Sequence, residues 1–339
     1  MSEKFLVIGS NSFSGSHFVA LALEEGAEVI GISRSPEPSP VFLPYRNAQG
    51  DHKQSRDKQG GRFRFVQADL NQHLDRIVSL VLEFRPDYVV NFAAQGMVAQ
   101  SWDNPRDWMT TNALAHISLH DKLKKLDFIK KYVHVSTPEV YGNCSGIIDE
   151  RAPFNPSTPY AVSKAAADMS LLAYQKAYGF PVVFSRSANV FGPGQQLYRI
   201  VPRTAFFIRT GKKLQLHGGG TSVRSFIHIR DVAEGTMLLA RKALPPNVFH
   251  FSTPEYFSIR EVVEEVCRQM DVDFHKHVEV VGDRLGKDAA YTLDSAKARK
   301  DLGWAPARSF KDGVSGTVRW IDENLDELKR QECEYIHKA

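Results

Sequence analysis

The stretch that most limits what this chain can fold into is Lys4-Phe5-Leu6-Val7-Ile8 running into Gly9-Ser10-Asn11-Ser12-Phe13-Ser14-Gly15. A short apolar run, a glycine-bounded turn and then a helix (here from about Ser14 to Glu25) form the opening unit of a parallel, doubly wound sheet. The pattern repeats. Strands are predicted at Glu28 to Ile32, Phe63 to Gln67, Tyr88 to Phe92, Tyr132 to Ser136 and Val182 to Ser185. Helices are predicted at Leu74 to Phe84, Trp108 to Leu126 and Pro159 to Tyr178. Such alternation implies an α/β Rossmann-type sheet covered on both faces. The polar segment 36–61 is long for a connection, and part of it is expected to be a mobile surface insertion. After Phe191-Gly192-Pro193-Gly194 the elements shorten. A dinucleotide-binding domain of 1–190 with 226–257 and a smaller substrate lobe of 191–225 with 258–339 are therefore expected.

The glycine turn offers backbone N–H groups and a helix N-terminus to a pyrophosphate, with Gly9, Asn11, Ser12, Phe13, Ser14 and Gly15 as the cradle. Ser12 stands where the usual pattern has its middle glycine. An acidic residue at the end of the second strand would select NAD, but this chain has Ser33-Arg34 there. An arginine suits a 2′-phosphate, so NADP is favoured over NAD. Asp69 and Leu70 follow the third strand, and Ala93-Ala94-Gln95 the fourth, where small residues admit a cofactor.

Thr137-Pro138-Glu139-Val140-Tyr141-Gly142 closes the fifth strand, and Tyr160-Ala161-Val162-Ser163-Lys164 opens the next helix. Residues four apart share a helix face, so Tyr160 and Lys164 point the same way. An ammonium beside a phenol lowers its pKa and makes a base for a hydroxyl proton. Glu139 adds a second base, which implies chemistry beyond simple dehydrogenation.

Among 339 residues, 42% are hydrophobic and 24% charged, and the net charge is +4. That mild balance fits an anionic small molecule and no nucleic acid. No apolar run reaches the ~20 residues that span a bilayer, so no membrane partner is expected. The first residues run straight into a strand, without the order of a secretory leader. Cys144, Cys267 and Cys333 are scattered and odd in number, which argues against disulfides and a metal site and for a reducing cytoplasm.

With these residues in view the chain resembles the extended short-chain dehydrogenases/reductases, and specifically the nucleotide-sugar 4,6-dehydratases of the dTDP-glucose and GDP-mannose type. The resemblance rests on the glycine turn, Asp69, Ala93-Ala94-Gln95, Ser136-Thr137-x-Glu139-Val140-Tyr141-Gly142 and Tyr160-x-x-x-Lys164. It extends through Arg186-x-x-Asn189-x-Phe191-Gly192-Pro193, Arg224, Asp283-Arg284-x-Gly286-x-Asp288 and Leu302-Gly303-Trp304-x-Pro306. The chain departs from the family at Ser12, at Gly96-Met97 and at Pro138, where the dTDP-glucose enzymes carry an acid.

The resemblance implies a nucleotide-diphosphate sugar as substrate. Tyr160 would deprotonate its 4-hydroxyl, Thr137 would steady the 4-oxygen, Glu139 would take the carbon-5 proton and Lys164 would hold the nicotinamide ribose. Gln95, Pro138, Asn189, Arg199, Arg224 and Arg284 would line the substrate. It also implies a homodimer through the two helices 108–126 and 159–178, which carry apolar residues on more than one face. A 4-epimerase, a glucuronate decarboxylase and a non-catalytic cofactor-binding scaffold remain the rival assignments.

Overall fold

The computed structural model describes residues 2–46, 62–144, 146–282 and 292–338. Its centre is a seven-stranded, wholly parallel sheet: β1 (Lys4–Ile8), β2 (Glu28–Ser33), β3 (Phe63–Gln67), β4 (Tyr88–Asn91), β5 (Lys131–Val135), β6 (Val182–Ser187) and β7 (Asn247–Phe251). The spatial order is β7-β6-β5-β4-β1-β2-β3. β1 pairs with both β2 and β4, with Ile8 beside Ile32 and Asn91. The chain reverses direction across the sheet at this point, so a crevice opens above the carboxyl ends of β1 and β4. β1, β4 and β6 are buried at nearly every position because helices cover both faces.

α1 (Phe13–Glu24) and α7 (Ile229–Lys242) pack on one face. On the other lie α2 (Leu74–Phe84), α4 (His116–Leu123) and α5 (Pro159–Tyr178). α2 buries Ile77, Val81 and Phe84, a single stripe at helical spacing. α5 begins where Thr158 accepts from the Ala161 N–H at 3.1 Å, with Pro159 as its first residue, and ends at Gly179 in the left-handed region. Both termini follow backbone chemistry: proline needs no N–H at the first turn, and glycine accepts the positive φ at the last.

The helix expected at 108–126 starts and ends earlier. α3 (Pro105–Trp108), a widened π-helical stretch Met109–Ala115 and α4 run on from one another. The widened turn carries the fully buried Asn112, whose side chain bonds the backbone of Gln95.

A second apolar core lies among α6 (Ile200–Arg209), α8 (Ile259–Gln269) and α9 (Phe310–Glu323). Of the segment 36–61, residues 47–61 lie outside the described ones. The part that is described is docked, not loose. Val41 is buried in this second core, its carbonyl accepts from Trp320 Nε1 at 3.1 Å, and Ser39 donates to Glu327. Conversely Ala298, Leu302 and Trp304 pack in the core beneath the sheet. Among the described residues no helix is long and apolar enough to cross a membrane.

Candidate functional site

The turn after β1 is closed by its own side chains. Gly9 has φ +81°, and a Cβ there would meet the Ala93 nitrogen at 2.7 Å. Only glycine fits this close approach of the β1 and β4 exits. Ser12 is the N-cap of α1: its hydroxyl donates to the Gly9 carbonyl at 2.7 Å and accepts from the Gly15 N–H at 3.1 Å. With φ −72° it needs no glycine freedom. The replacement of the middle glycine therefore exchanges a flexible turn for a tied one. The N–H groups of Phe13 and Ser14 find no acceptor among the described residues and face outward from the helix start. This tight, donor-rich turn fits a pyrophosphate.

Asn11 and Ser33 serve the scaffold. The Asn11 N–H donates to Ser33 Oγ at 3.1 Å, and its amide donates to the carbonyls of Ser35 and Pro36. Asp69 Oδ1 accepts from the Asn71 N–H at 2.8 Å, and Leu70 is buried in the sheet core. Arg34 lines a surface pocket of about 440 Å³ with Phe65, Gln67, Ala68, His73 and Arg76. This pocket, at the ends of β2 and β3, holds two guanidinium groups. Ala94 is exposed on the β4 exit, Ala93 is partly covered, and Gln95 is buried and fixed by Asn112.

The catalytic candidates converge from two elements. Thr137 caps a short 3₁₀ turn, Pro138–Tyr141, by accepting from the Glu139 N–H at 3.2 Å. Pro138 occupies the first position of that turn, where its fixed φ is suited. The turn buries Glu139 to 6% exposure and aims it at the start of α5. There the proton affinity of the Tyr160 phenol responds to Thr137, Glu139 and Arg199. The Tyr160 backbone N–H is held by the fully buried Ser101 hydroxyl at 3.2 Å.

The expected depression of the Tyr160 pKa by Lys164 is corrected here. Burial pushes the phenol up to about 12, and Thr137 and Arg199 are the groups that draw it down. Lys164 Nζ instead donates to the Val135 carbonyl at 2.8 Å. Burial lowers the lysine to about 8, with Asp168 opposing. Lys164 is thus a buried donor one turn from the phenol, facing the end of β5.

The comparisons follow from this geometry. The profile of the GDP-mannose 4,6-dehydratase family matches residues 6–317. The chain belongs to this family. A dTDP-glucose 4,6-dehydratase of Streptomyces antibioticus is 32% identical over 325 residues, 94% of this chain and 92% of its own length. A trifunctional UDP-glucose 4,6-dehydratase/UDP-4-keto-6-deoxy-D-glucose 3,5-epimerase/UDP-4-keto-L-rhamnose-reductase of Arabidopsis thaliana is 30% identical over 271 residues. That match takes in 79% of this chain, which spans only 40% of the plant protein. The dTDP-glucose 4,6-dehydratase of Streptomyces venezuelae, solved with NAD bound, superposes with a TM-score of 0.83 at 30% identity. It covers 96% of this chain and 98% of its own.

In this member of the 4,6-dehydratase family a buried polar layer supports the site from behind. Asp168, fully buried on α5, accepts from Ser136 at 2.6 Å and pairs with Arg186 at 2.8 Å. Arg186 lies 4.6 Å from the centre of the Tyr141 ring, and the Tyr141 hydroxyl bonds His250 at 2.7 Å. His116, His120 and His134 are buried beside it, and burial holds all three imidazoles well below their ordinary pKa. Among the described residues no group of three or more His, Cys, Asp or Glu is arranged to hold a metal ion.

On the substrate side Asn189 is partly buried at the start of a short strand, Asn189–Phe191. Arg199 precedes α6, stacks near Tyr198 and acts on Tyr160. Arg224 is turned to its neighbour, donating to the Val223 carbonyl at 2.8 Å. Gln195 is taken up by the Val190 carbonyl. Arg284 lies outside the described residues. Asn112, Ser101 and Asp168 escaped the sequence reading. Asp168 alone stands out as a polar residue within an apolar helical run, while Asn112 and Ser101 sit among other polar residues and carry no such signal.

Proposed function

We propose that this protein is a nucleotide-sugar 4,6-dehydratase. The observation that carries the proposal is the convergence of Tyr160, Thr137 and a buried Glu139 at the carboxyl end of β5. A bound nicotinamide dinucleotide supplies a reversible hydride acceptor there. The residues that would hold it are the Gly9–Gly15 turn, Arg34, Asp69, Ala93, Ala94, Gln95 and Lys164. Tyr160 takes the proton from the sugar 4-hydroxyl, and Thr137 donates to the same oxygen as charge develops on it. Once carbon 4 is a ketone the carbon-5 proton is acidified, and Glu139 takes it. Pro138 has no proton to give, and Asp168 is committed to Ser136 and Arg186. Glu139 therefore also returns its captured proton to the departing 6-hydroxyl.

Arg34 and Arg76, with no carboxylate at the end of β2, support NADP. The NAD in the Streptomyces venezuelae structure supports the alternative. Arg199 and Asn189 face the sugar-diphosphate side. The partner is a second copy of the chain. Met109, Leu114, Val162 and Met169 leave an exposed apolar band on the neighbouring 105–123 and α5 helices. Free Cys144, Cys267 and Cys333 are consistent with a reducing cytoplasm.

The test is incubation with a panel of nucleotide sugars, read by mass spectrometry. Loss of water supports the proposal. Inversion at carbon 4 with unchanged mass, or release of carbon dioxide from a glucuronate, overturns it. Glu139→Gln should form the reduced cofactor and a bound 4-keto sugar but lose no water.

A further inference from the structure

Residues 332–338 run as an extended strap from the second lobe to the sheet edge. Positions 333, 335 and 337 are partly covered and 332, 334, 336 and 338 are exposed, the alternation of a segment lying with one face down. The strap is pinned at both ends. On the lobe side Arg203 grips the Glu334 carboxylate through two hydrogen bonds, of 3.0 and 2.6 Å. The Tyr335 ring meets Tyr198 edge-on at 5.6 Å. On the sheet side His337 stacks on the fully buried Trp108, centroids 5.0 Å apart and planes 9° from parallel, and its Nε2 pairs with Asp107 at 2.7 Å. The Lys338 carbonyl then accepts from both Arg34 Nη2, at 2.9 Å, and Gln95 Nε2, at 2.5 Å.

Those two donors leave the ends of β2 and β4, the two neighbours of β1 in the sheet. One backbone oxygen therefore sits across the crevice into which the glycine turn opens. We propose that the 332–338 strap is an intramolecular competitor for the dinucleotide: it takes the Arg34 and Gln95 donors that the cofactor needs, so the cofactor enters only as the strap lets go. This rests on the assignment of that crevice as the cofactor site. The strap's contacts are short-ranged and mostly at the surface, so the strapped form is favoured only modestly. A competent form populated at about one part in ten would weaken the apparent affinity about tenfold.

The experiment compares the full chain with a chain ending at Gln331 and with a full-length Tyr335→Ala/His337→Ala variant. The second variant is needed because Cys333 packs on the second core and its loss alone can disturb folding. Binding of NAD and of NADP is measured by calorimetry and stopped-flow fluorescence. Both variants should bind about tenfold more tightly, with faster association, and hydrogen exchange of 332–338 in the full chain should rise when cofactor is added. Equal or weaker binding by both variants, with the full chain still binding cofactor, overturns the strap alone. Failure of all three forms to bind either dinucleotide overturns the cofactor-site assignment and the strap with it.

Discussion

Replacing Lys164 by methionine separates stability from activity in a way that the structure quantifies. The lysine is 2% exposed, and its Nζ donates to the Val135 carbonyl at 2.8 Å. The carboxylate acting on it, Asp168, is already shared with Arg186 and Ser136. Burial therefore dominates and holds the ammonium at about 8, against an ordinary 10.5. That gap corresponds to ~3 kcal/mol of lost solvation. Between about 8 and 10.5 the unfolded chain binds more protons than the folded one. Stability thus rises with pH across that window, and below it the full penalty stands. Methionine keeps the unbranched stem and removes the charge, while the lost hydrogen bond costs ~1 kcal/mol. Near neutral pH Lys164→Met should be more stable than the parent by ~2 kcal/mol, and this advantage should fade towards pH ~10. Urea unfolding of both chains across that range measures the difference. The same variant should turn over no substrate, since a residue that would hold the nicotinamide ribose is gone. A difference that stays flat with pH, or a parent that is the more stable near neutrality, would refute burial as the cause of the lysine's low proton affinity.

Tyr160→Phe should fold with an unchanged circular dichroism spectrum and lose turnover by at least ~10³-fold, because it removes the proposed base for the 4-hydroxyl proton. In the chain ending at Gln331, where the strap no longer competes, Arg34→Ala should raise the Kd for NADP ~10-fold and leave NAD within about twofold, as read by titration with both cofactors. The exposed band at Leu114, Val162 and Met169 should make the chain a dimer in light scattering at micromolar concentration, and Leu114→Glu/Met169→Glu should shift it to the monomer mass.

What the sequence made legible was the part governed by local rules. The bounds of β3, α2 and α5 follow from hydrophobic period, from Pro159 and Gly179 at the ends of α5 and from the apolar strand pattern. Glu139 and Tyr160 were legible as a pair because the strand end and the helix start are both marked by spacing. What was not legible depended on contacts between distant segments. Ser12 reads as a lost glycine until its hydroxyl is seen closing the turn. Tyr160 and Lys164 do share a helix face, yet spacing says nothing of the Val135 carbonyl that takes the ammonium or of Thr137 as a group that draws down the phenol's pKa. Asn112 looks like one more helical position until the widened turn sets it against Gln95.

The same distinction explains why the site tolerates its departures from the family pattern. Pro138 removes a proton-bearing side chain from the turn, but it also fixes φ at the position where the backbone must turn Glu139 inward. With Glu139 at 6% exposure, the carboxylate is kept out of bulk water and next to the atoms it serves. A carboxylate in that position exchanges its captured proton with the nearby leaving hydroxyl more readily than with solvent. On the proposed mechanism, the two roles that neighbouring acids would divide thus fall to one residue. An isotope experiment decides it: with deuterium at carbon 5 of the substrate and ordinary water as solvent, the product of a single turnover should carry no deuterium at carbon 5, because Glu139 has passed the captured deuteron to the leaving hydroxyl. Partial return of the deuterium to carbon 5 would give the second role to an external acid.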